Sequence, residues 1–291
     1  MANELEILFT DIANEVRKKK GTTALIKATD LPSEIESIPT GSGEDMLQTK
    51  VDSVNNCDYL FYKYFGDSVD FISGLNTSKV TSMTYMFSSC TAITTIPQLD
   101  TSEVTDMSYM FQYCYALTMI PQLNTSKVTK MTYMFEGCRK LTMIPQLNTS
   151  KVTTMSYMFK GCTELITIPQ LDMSKVTYVT SMFSDCKKLT NLTLLNINVN
   201  LQVGDRTNYG HLLTVESLVG LCKECIDVGA SRTLTIGSAN IEKLADVYVK
   251  LTGEAEENET LPKHPIIQCE SADEGAMLIS DYMASKGWVL A

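Results

Sequence analysis

A 24-residue repeat constrains the fold of this chain more than any other feature of its sequence. Five units start at Asn76, Asp100, Asn124, Asn148 and Asp172 and follow one another without insertion. Each unit reads approximately Asn/Asp-Thr-Ser-Lys-Val-Thr-x-Met-Ser/Thr-Tyr-Met-Phe-x-x-Cys-x-x-Leu-Thr-x-Ile-Pro-Gln-Leu. A unit of this length cannot bury its own apolar face, so the units must stack on one another.

Degenerate units flank the five regular ones. Val54–Phe61 matches Val80–Phe87 at an offset of 26 residues, and a last unit runs through Leu192 and Leu195 to Asn198. Such atypical ends are expected, because the terminal units of a stack face water on one side.

The repeated apolar letters predict which side chains point into the stack. In the first unit they are Val80, Met83, Met86, Phe87, Cys90, Ile93, Ile96 and Leu99. We expect two short extended pieces in each unit, Val-Thr-x-Met and Leu-Thr-x-Ile, with a tight helical turn from the tyrosine to the cysteine between them. A proline cannot donate a ladder hydrogen bond, so Pro97, Pro121, Pro145 and Pro169 are each expected to end a strand.

The repeats resemble the BspA-like leucine-rich repeat family, in the form known from mycoplasma surface lipoproteins. The motif that carries the resemblance is Asp/Asn-Thr-Ser-x-Val-Thr-x-Met-x-x-Met-Phe-x-x-Cys-x-x-Leu, and it covers residues 54–198. The resemblance implies a right-handed solenoid used for adhesion or recognition at microbial surfaces, and it implies no catalysis.

The N-terminal segment, residues 1–45, predicts two helices and a linker. Apolar residues recur at helical spacing over residues 3–18, and Asp30-Leu-Pro-Ser-Glu opens a shorter helix before a Gly/Ser-rich stretch. The segment resembles the start of many tailed-phage structural proteins, which implies an attachment or oligomerising module. The alternative interpretation is a helical hairpin that covers the first unit.

The C-terminal residues, 201–291, predict an α/β cap. We expect a helix from its cap Thr214 to Ile226, a strand over Arg232–Ile236, and helices starting at Ser238 (through Val249) and at Ser271. Gly287 is expected to end the last helix before Trp288-Val-Leu-Ala. This end resembles the tail that closes BspA-like repeats in phage and prophage proteins.

Together these patterns predict an α/β fold in three parts. Residues 1–45 form the N-terminal helical attachment segment and linker. Residues 46–200 form a right-handed leucine-rich-repeat-like solenoid of 24-residue rungs, and residues 201–291 form the C-terminal α/β capping domain.

Cysteine spacing leaves two interpretations open. Five cysteines, at positions 90, 114, 138, 162 and 186, recur at one place in the unit and favour a parallel column of reduced thiols in the core. Cys222, Cys225, His264 and Cys269 have spacings that zinc tolerates. Cys222 and Cys225 also lie on the apolar face of the predicted helix, which favours two ordinary core residues and no metal or other cofactor.

Composition argues against several classes of function. The net charge of −10 disfavours general binding to nucleic acid, and two histidines offer little material for acid/base catalysis. No apolar run approaches the ~18 residues of a spanning helix. The first residues carry no export-signal pattern. We therefore expect a non-enzymatic protein without a membrane span.

The expected function is that of a phage or phage-like virion structural protein, made in the bacterial cytoplasm. Residues 1–45 would bind other virion proteins, the solenoid would bind a host-surface protein or glycan, and the chain would form a homo-oligomer. The alternative hypothesis is a bacterial cell-surface adhesin of the BspA-like type.

The binding surface is predicted from the positions that differ between units, since the core residues hardly vary. The variable positions lie at the residue two after the valine and in the pairs just before and just after the cysteine, and all are expected to face solvent. The pairs around the cysteine favour Tyr113, Tyr115, Arg139 and Lys140 as contact residues. Tyr109 and Tyr133, in the column Tyr85-Tyr109-Tyr133-Tyr157, are the rival candidates.

Overall fold

The computed structural model describes residues 55–64, 66–203, 213–225, 232–236, 240, 244, 248–250 and 276–290. The predicted attachment segment, His264 and Cys269 lie outside these residues. Within the described part, no helix has the length and apolarity needed to cross a membrane.

Equivalent residues of successive units pair with one another in parallel. Single β-bridges join Asn56 to Ser82, and then connect one residue in each following unit: Ser82, Asp106, Lys130, Thr154 and Tyr178. The step from Asn56 to Ser82 is 26 residues and every later step is 24. The predicted register, including the offset of the degenerate first unit, is therefore confirmed.

The segment from tyrosine to cysteine is a series of β-turns, so the expected helical turn is wrong. In the first unit the amides of Met86, Ser88 and Cys90 each donate to the carbonyl three residues earlier. The intervening amides donate instead to the next unit, with Tyr85 bonded to Ser108 O at 3.1 Å. A continuous helix is impossible because alternate amides leave the unit. The turns place Tyr85 at a positive φ of 59°.

The repeated apolar side chains form one continuous core, as predicted. All eight inward positions of the first unit are buried, and so are their equivalents in the following units except Leu195, which is half-buried. The phenylalanines of the column stack in parallel: Phe87, Phe111 and Phe135 lie 5.7 and 5.6 Å apart between ring centroids. Each ring therefore packs on the same ring of the neighbouring unit.

Extended structure is shorter than the sequence predicts. The Val-Thr-x-Met piece is represented by the single bridge of each unit, whereas the second piece forms strands β1 (Thr167–Asp172) and β2 (Asn191–Leu195). These two strands pair in parallel. Pro169 lies inside β1 and not at its end, which corrects the expectation. The pairing shifts register between Ile168 and Leu171, so the proline falls at an irregularity that needs no N–H donor.

In the described residues, the C-terminal part contains two helices with defined bounds, two further helical residues (Asn240 and Leu244) and two small sheets. Helix α1 spans Val215–Glu224 and helix α2 spans Ile279–Ser285. Strands β3 (Leu201–Gln202), β4 (Arg232–Thr235) and β7 (Trp288–Leu290) form a parallel sheet in the order β3-β4-β7, and β5 (Tyr248–Lys250) pairs antiparallel with β6 (Ala276–Leu278). A short 3-10 helix covers Asp70–Ile72.

The helix boundaries of this part are only partly predicted. Thr214 caps α1, accepting a hydrogen bond from the Ser217 amide at 3.2 Å, and Gly287 follows α2 with a φ of 77°. Helix α1 stops at Glu224, before the predicted Ile226, because Cys225 is extended and pairs with Ile197 of the last unit.

Two of the predicted helices differ from the structure, each at one of its ends. The helix expected to reach Val249 gives way to strand β5, and β6 occupies part of the segment predicted to continue the helix from Ser271. The two segments pair with each other, so tertiary pairing overrides the local helix signals.

We expect Phe135→Ala to lower the free energy of unfolding by ~3–5 kcal/mol, because it opens a cavity between two stacked rings. Denaturant unfolding measures the change, and Lys130→Ala is the control. Lys130 is exposed and forms an ion pair with Asp106, so its loss should cost ~1 kcal/mol or less. Equal losses in the two variants would contradict the proposed core.

Candidate functional site

Three of the predicted contact residues meet in one depression on the side of the stack. Tyr113 and Tyr115 come from one unit and Arg139 from the next, and together they line a depression of ≈ 440 Å³. Its other walls include Gly137, Lys160 and Asp185. We call this feature the aromatic depression. Lys140 is exposed but does not line it.

Cation–π and ring contacts organise the aromatic depression. The Arg139 guanidinium lies over the Tyr115 ring at 4.5 Å from its centroid, and the Tyr113 and Tyr115 rings are 6.0 Å apart. Tyr113 is 37% exposed, so part of its side chain is open to solvent. The depression therefore offers aromatic surface and a cation side by side.

A buried carboxylate lies beneath the depression. Glu136 is only 5% exposed; its Oε2 accepts a hydrogen bond from Gln112 Nε2 at 2.7 Å, and its Oε1 lies 3.4 Å from Lys160 Nζ. Partial burial, with the nearby charge of Glu136, raises the pKa of the Tyr113 hydroxyl. A hydrogen bond with the Glu136 carboxylate raises this pKa further, so the hydroxyl is turned toward that carboxylate.

Backbone conformation explains the glycines of the depression. The residue just before each cysteine has a positive φ in every unit, including Ser89 (62°), Tyr113 (59°) and Gly137 (74°). Glycine adopts this conformation without steric cost, whereas residues with a Cβ atom adopt it with steric strain. A Cβ on Gly137 would lie 2.8 Å from Tyr113 Cδ1, so the glycine also makes room for that ring.

The expectation that all variable positions face solvent is wrong for one column. Ser88 and Glu136, each the second residue before a cysteine, are buried because the turns direct them along the stack, and Gly137 next to Cys138 is buried as well. There Ser88 Oγ bonds Gln112 Oε1 at 3.4 Å, and Gln112 bonds Glu136. Variation in this column therefore reflects polar pairing between neighbouring units as well as exposure.

The rival tyrosine column is a stack of rings. Tyr85, Tyr109, Tyr133 and Tyr157 are half-buried, and their neighbouring ring centroids lie 4.2, 4.8 and 4.5 Å apart. Each ring face is covered by the next ring, so Tyr109 and Tyr133 present ring edges to solvent. Ligand stacking on those two faces is therefore blocked.

A larger groove, which the variable positions of the repeat did not indicate, lies elsewhere on the stack. This amide groove, ≈ 980 Å³, is lined by Gln98, Gln122, Gln146, Gln170 and the Asn/Asp-Thr-Ser segments that follow them. The Nε2 atoms of Gln98, Gln122 and Gln146 each donate to the glutamine carbonyl of the next unit, as in Gln98 to Gln122 O at 2.8 Å. The sequence signal for this groove is the glutamine itself, a polar residue that recurs in the first four units although it is exposed. The hydrogen bonds give it a structural role in holding register.

The cysteine column is buried and hydrogen-bonded. All eight described cysteines are free thiols, and in the column each Sγ donates to the phenylalanine carbonyl of the preceding unit, as in Cys114 to Phe87 O at 3.1 Å. Burial raises the pKa of the Cys90 thiol to about 12. The column therefore consists of neutral core thiols.

Cys222 and Cys225 are also core residues. Burial raises the pKa of the Cys222 thiol to about 12, and Cys225 Sγ donates to Leu221 O at 3.3 Å. Among the described residues, no three His, Cys, Asp or Glu side chains cluster as metal ligands would.

We expect native protein to react slowly with a thiol reagent at pH 8, because buried thiols with a raised pKa supply little thiolate. Unfolding in denaturant without reductant should then release all nine cysteines of the chain. Five or fewer reactive thiols after unfolding would mean that the column is oxidised.

We expect Gly137→Ala to destabilise the protein more than Gly161→Ala. Both glycines have a similar positive φ, so each substitution costs ~1–2 kcal/mol of backbone strain. Only the Cβ at Gly137 meets Tyr113, at 2.8 Å; at Gly161 the nearest atom is 3.6 Å away. Thermal unfolding measures both.

A double variant isolates the ring contact. When Tyr113 is already replaced by Ser, adding Gly137→Ala should cost only as much stability as Gly161→Ala costs in the original chain. An unchanged loss in the double variant would show that the ring does not occupy the depression.

The comparisons with known proteins identify the family. No curated protein and no solved structure matches the chain. The profile of a family described as "Mycoplasma protein of unknown function" (DUF285) matches residues 30–142 and again 116–205. These matches span the five units and more than half of the 291 residues, in agreement with the mycoplasma form of repeat that the units resemble. The chain therefore belongs to the DUF285 family.

Proposed function

We propose that the chain is a non-enzymatic recognition protein whose units form a right-handed solenoid, and that the aromatic depression contacts a host-surface protein or glycan. The observation that carries the proposal is the meeting of Tyr113, Tyr115 and Arg139 in one depression. All three come from columns that vary between units, while the stack beneath them is regular.

The chemistry of the depression suits recognition. Tyrosine and arginine are the residue types most enriched among the energetically dominant contacts of interfaces. Because the stack holds these side chains in place, they lose little conformational entropy when a partner binds. Arg139 lies over Tyr115, which keeps both side chains oriented while their outer surfaces remain available.

The described thiols support a role without covalent catalysis. Nucleophilic cysteines need a lowered pKa and access to solvent. The described cysteines are buried, and burial raises the pKa of Cys114 and its equivalents. They therefore suit core packing better than chemistry.

The proposed setting is a phage or phage-like particle. Support comes from the resemblance of residues 1–45 and of the Lys286-Gly-Trp-Val-Leu-Ala end to phage structural proteins. In that setting residues 1–45 bind other particle proteins, the chain assembles as a homo-oligomer, and the stack is displayed outward. A cell-surface adhesin is the alternative setting for the same recognition surface.

The recognition surface can be tested with residues borrowed from other units. Tyr113→Ser, Tyr115→Thr and Arg139→Thr each introduce a residue found at that position elsewhere in the repeat, so folding should be preserved. We expect the triple variant to lose at least about tenfold in binding to cells of the strain that carries this sequence and its relatives. Flow cytometry with labelled protein measures it.

The matched control replaces three exposed apolar side chains that do not line the depression, Met119, Met143 and Ile166, with threonine. This control and Lys140→Ser should retain binding. Loss of binding in the control but not in the aromatic variant would refute the assignment of the site. Detection of the chain in purified particles, and not in the labelled cell-surface fraction, would favour the phage setting over the adhesin.

A further inference from the structure

A second depression lies where the last unit meets the C-terminal sheet. It has a volume of ≈ 440 Å³ and is lined by Val176–Thr180, Asn198–Asn200 and Arg232, the first residue of β4. We call it the junction pocket. It shares no residue with the aromatic depression.

Two buried polar atoms in the junction pocket have no hydrogen-bond partner among the described residues. They are Asn198 Oδ1, an acceptor, and Arg232 Nε, a donor. The Asn198 amide is oriented unambiguously, because its Nδ2 donates to Ser174 O at 3.0 Å. Leaving such atoms unpaired costs the free energy of their desolvation, so we expect both atoms to have a partner that is not part of the protein.

The missing partner must both accept and donate. Arg232 requires an acceptor and Asn198 Oδ1 requires a donor, which together match a ligand that carries an anionic oxygen and a hydroxyl group. In the described part of the chain Arg232 forms no ion pair, and the lining residues given above include no carboxylate. The pocket therefore holds an uncompensated positive charge.

Tyr178 adds an apolar wall. It is 67% exposed, the largest exposure of any large apolar or aromatic side chain in the described residues. Thr177 and Thr180 beside it are bonded to the preceding unit through Thr177 Oγ1 and the Thr180 amide, so the backbone that carries the ring is fixed. Tyrosine rings commonly pack against the faces of sugar rings.

We propose that the junction pocket binds a carboxylated sugar of the uronic acid class. The Arg232 guanidinium pairs with the sugar carboxylate, Asn198 Oδ1 accepts a hydrogen bond from a ring hydroxyl, and the ring packs against Tyr178. This combination satisfies both orphan atoms and the free charge. A neutral sugar leaves Arg232 unpaired, and a simple carboxylate leaves Asn198 and Tyr178 without contact.

The test uses the full chain with glucuronate as the probe, and glucose and acetate as matched comparisons, in ligand-observed NMR titrations. We expect saturable binding of glucuronate at least about tenfold tighter than that of glucose or acetate. Arg232→Gln should weaken glucuronate binding about tenfold and remove its salt dependence.

Tyr178→Thr keeps the proposal testable if the arginine variant fails to fold. The side chain is exposed and Thr154 occupies the same column, so folding should be unaffected. We expect about fivefold weaker binding. The Tyr113→Ser variant is the control, and it should bind glucuronate as the original chain does.

Three results would overturn the proposal: equal binding of glucose and glucuronate, no loss in Tyr178→Thr, or no saturable binding at all. In the last case a water molecule between Asn198 and Arg232 is the better account. Because Tyr113→Ser lies outside the pocket, failure here leaves the aromatic depression and its proposed function untouched.

Discussion

The hydrogen bonds between equivalent backbone atoms of neighbouring units govern the rest of the structure. From Met83 to Ser89, alternate amides donate to the following unit, and the amides of Met86, Ser88 and Cys90 bond within their own unit. This pattern works only when each unit has the same length. It also requires a positive φ at Tyr85 and Ser89. The stacked rings and inter-unit ion pairs, such as Lys127 to Glu103 at 2.6 Å, then follow at the same 24-residue step.

The core could be predicted from the sequence because burial follows from repetition. A side chain that recurs every 24 residues lies over its own copy, so Phe87 and its equivalents had to stack. The turn from tyrosine to cysteine could not be predicted, since positive φ at tyrosine contradicts its local preference. The same holds for β5, whose pairing with β6 comes from tertiary contact.

The candidate site was predicted in part. Variation between units indicated Tyr113, Tyr115 and Arg139, which the structure brings together. It did not distinguish Glu136, which pairs along the stack in the same variable column. The junction pocket carries no sequence signal, because Asn198 and Arg232 are 34 residues apart and belong to no motif. Only the tertiary fold places them beside Tyr178.

Deletion of one whole unit tests the central role of register most directly. Removing residues 148–171 joins Leu147 to Asp172 and preserves every inter-unit pairing, whereas removing residues 148–159 joins mismatched halves. The account predicts cooperative thermal unfolding for the whole-unit deletion, with a modestly lowered midpoint, and loss of the cooperative transition for the half-unit deletion. Equal behaviour of the two deletions would contradict it.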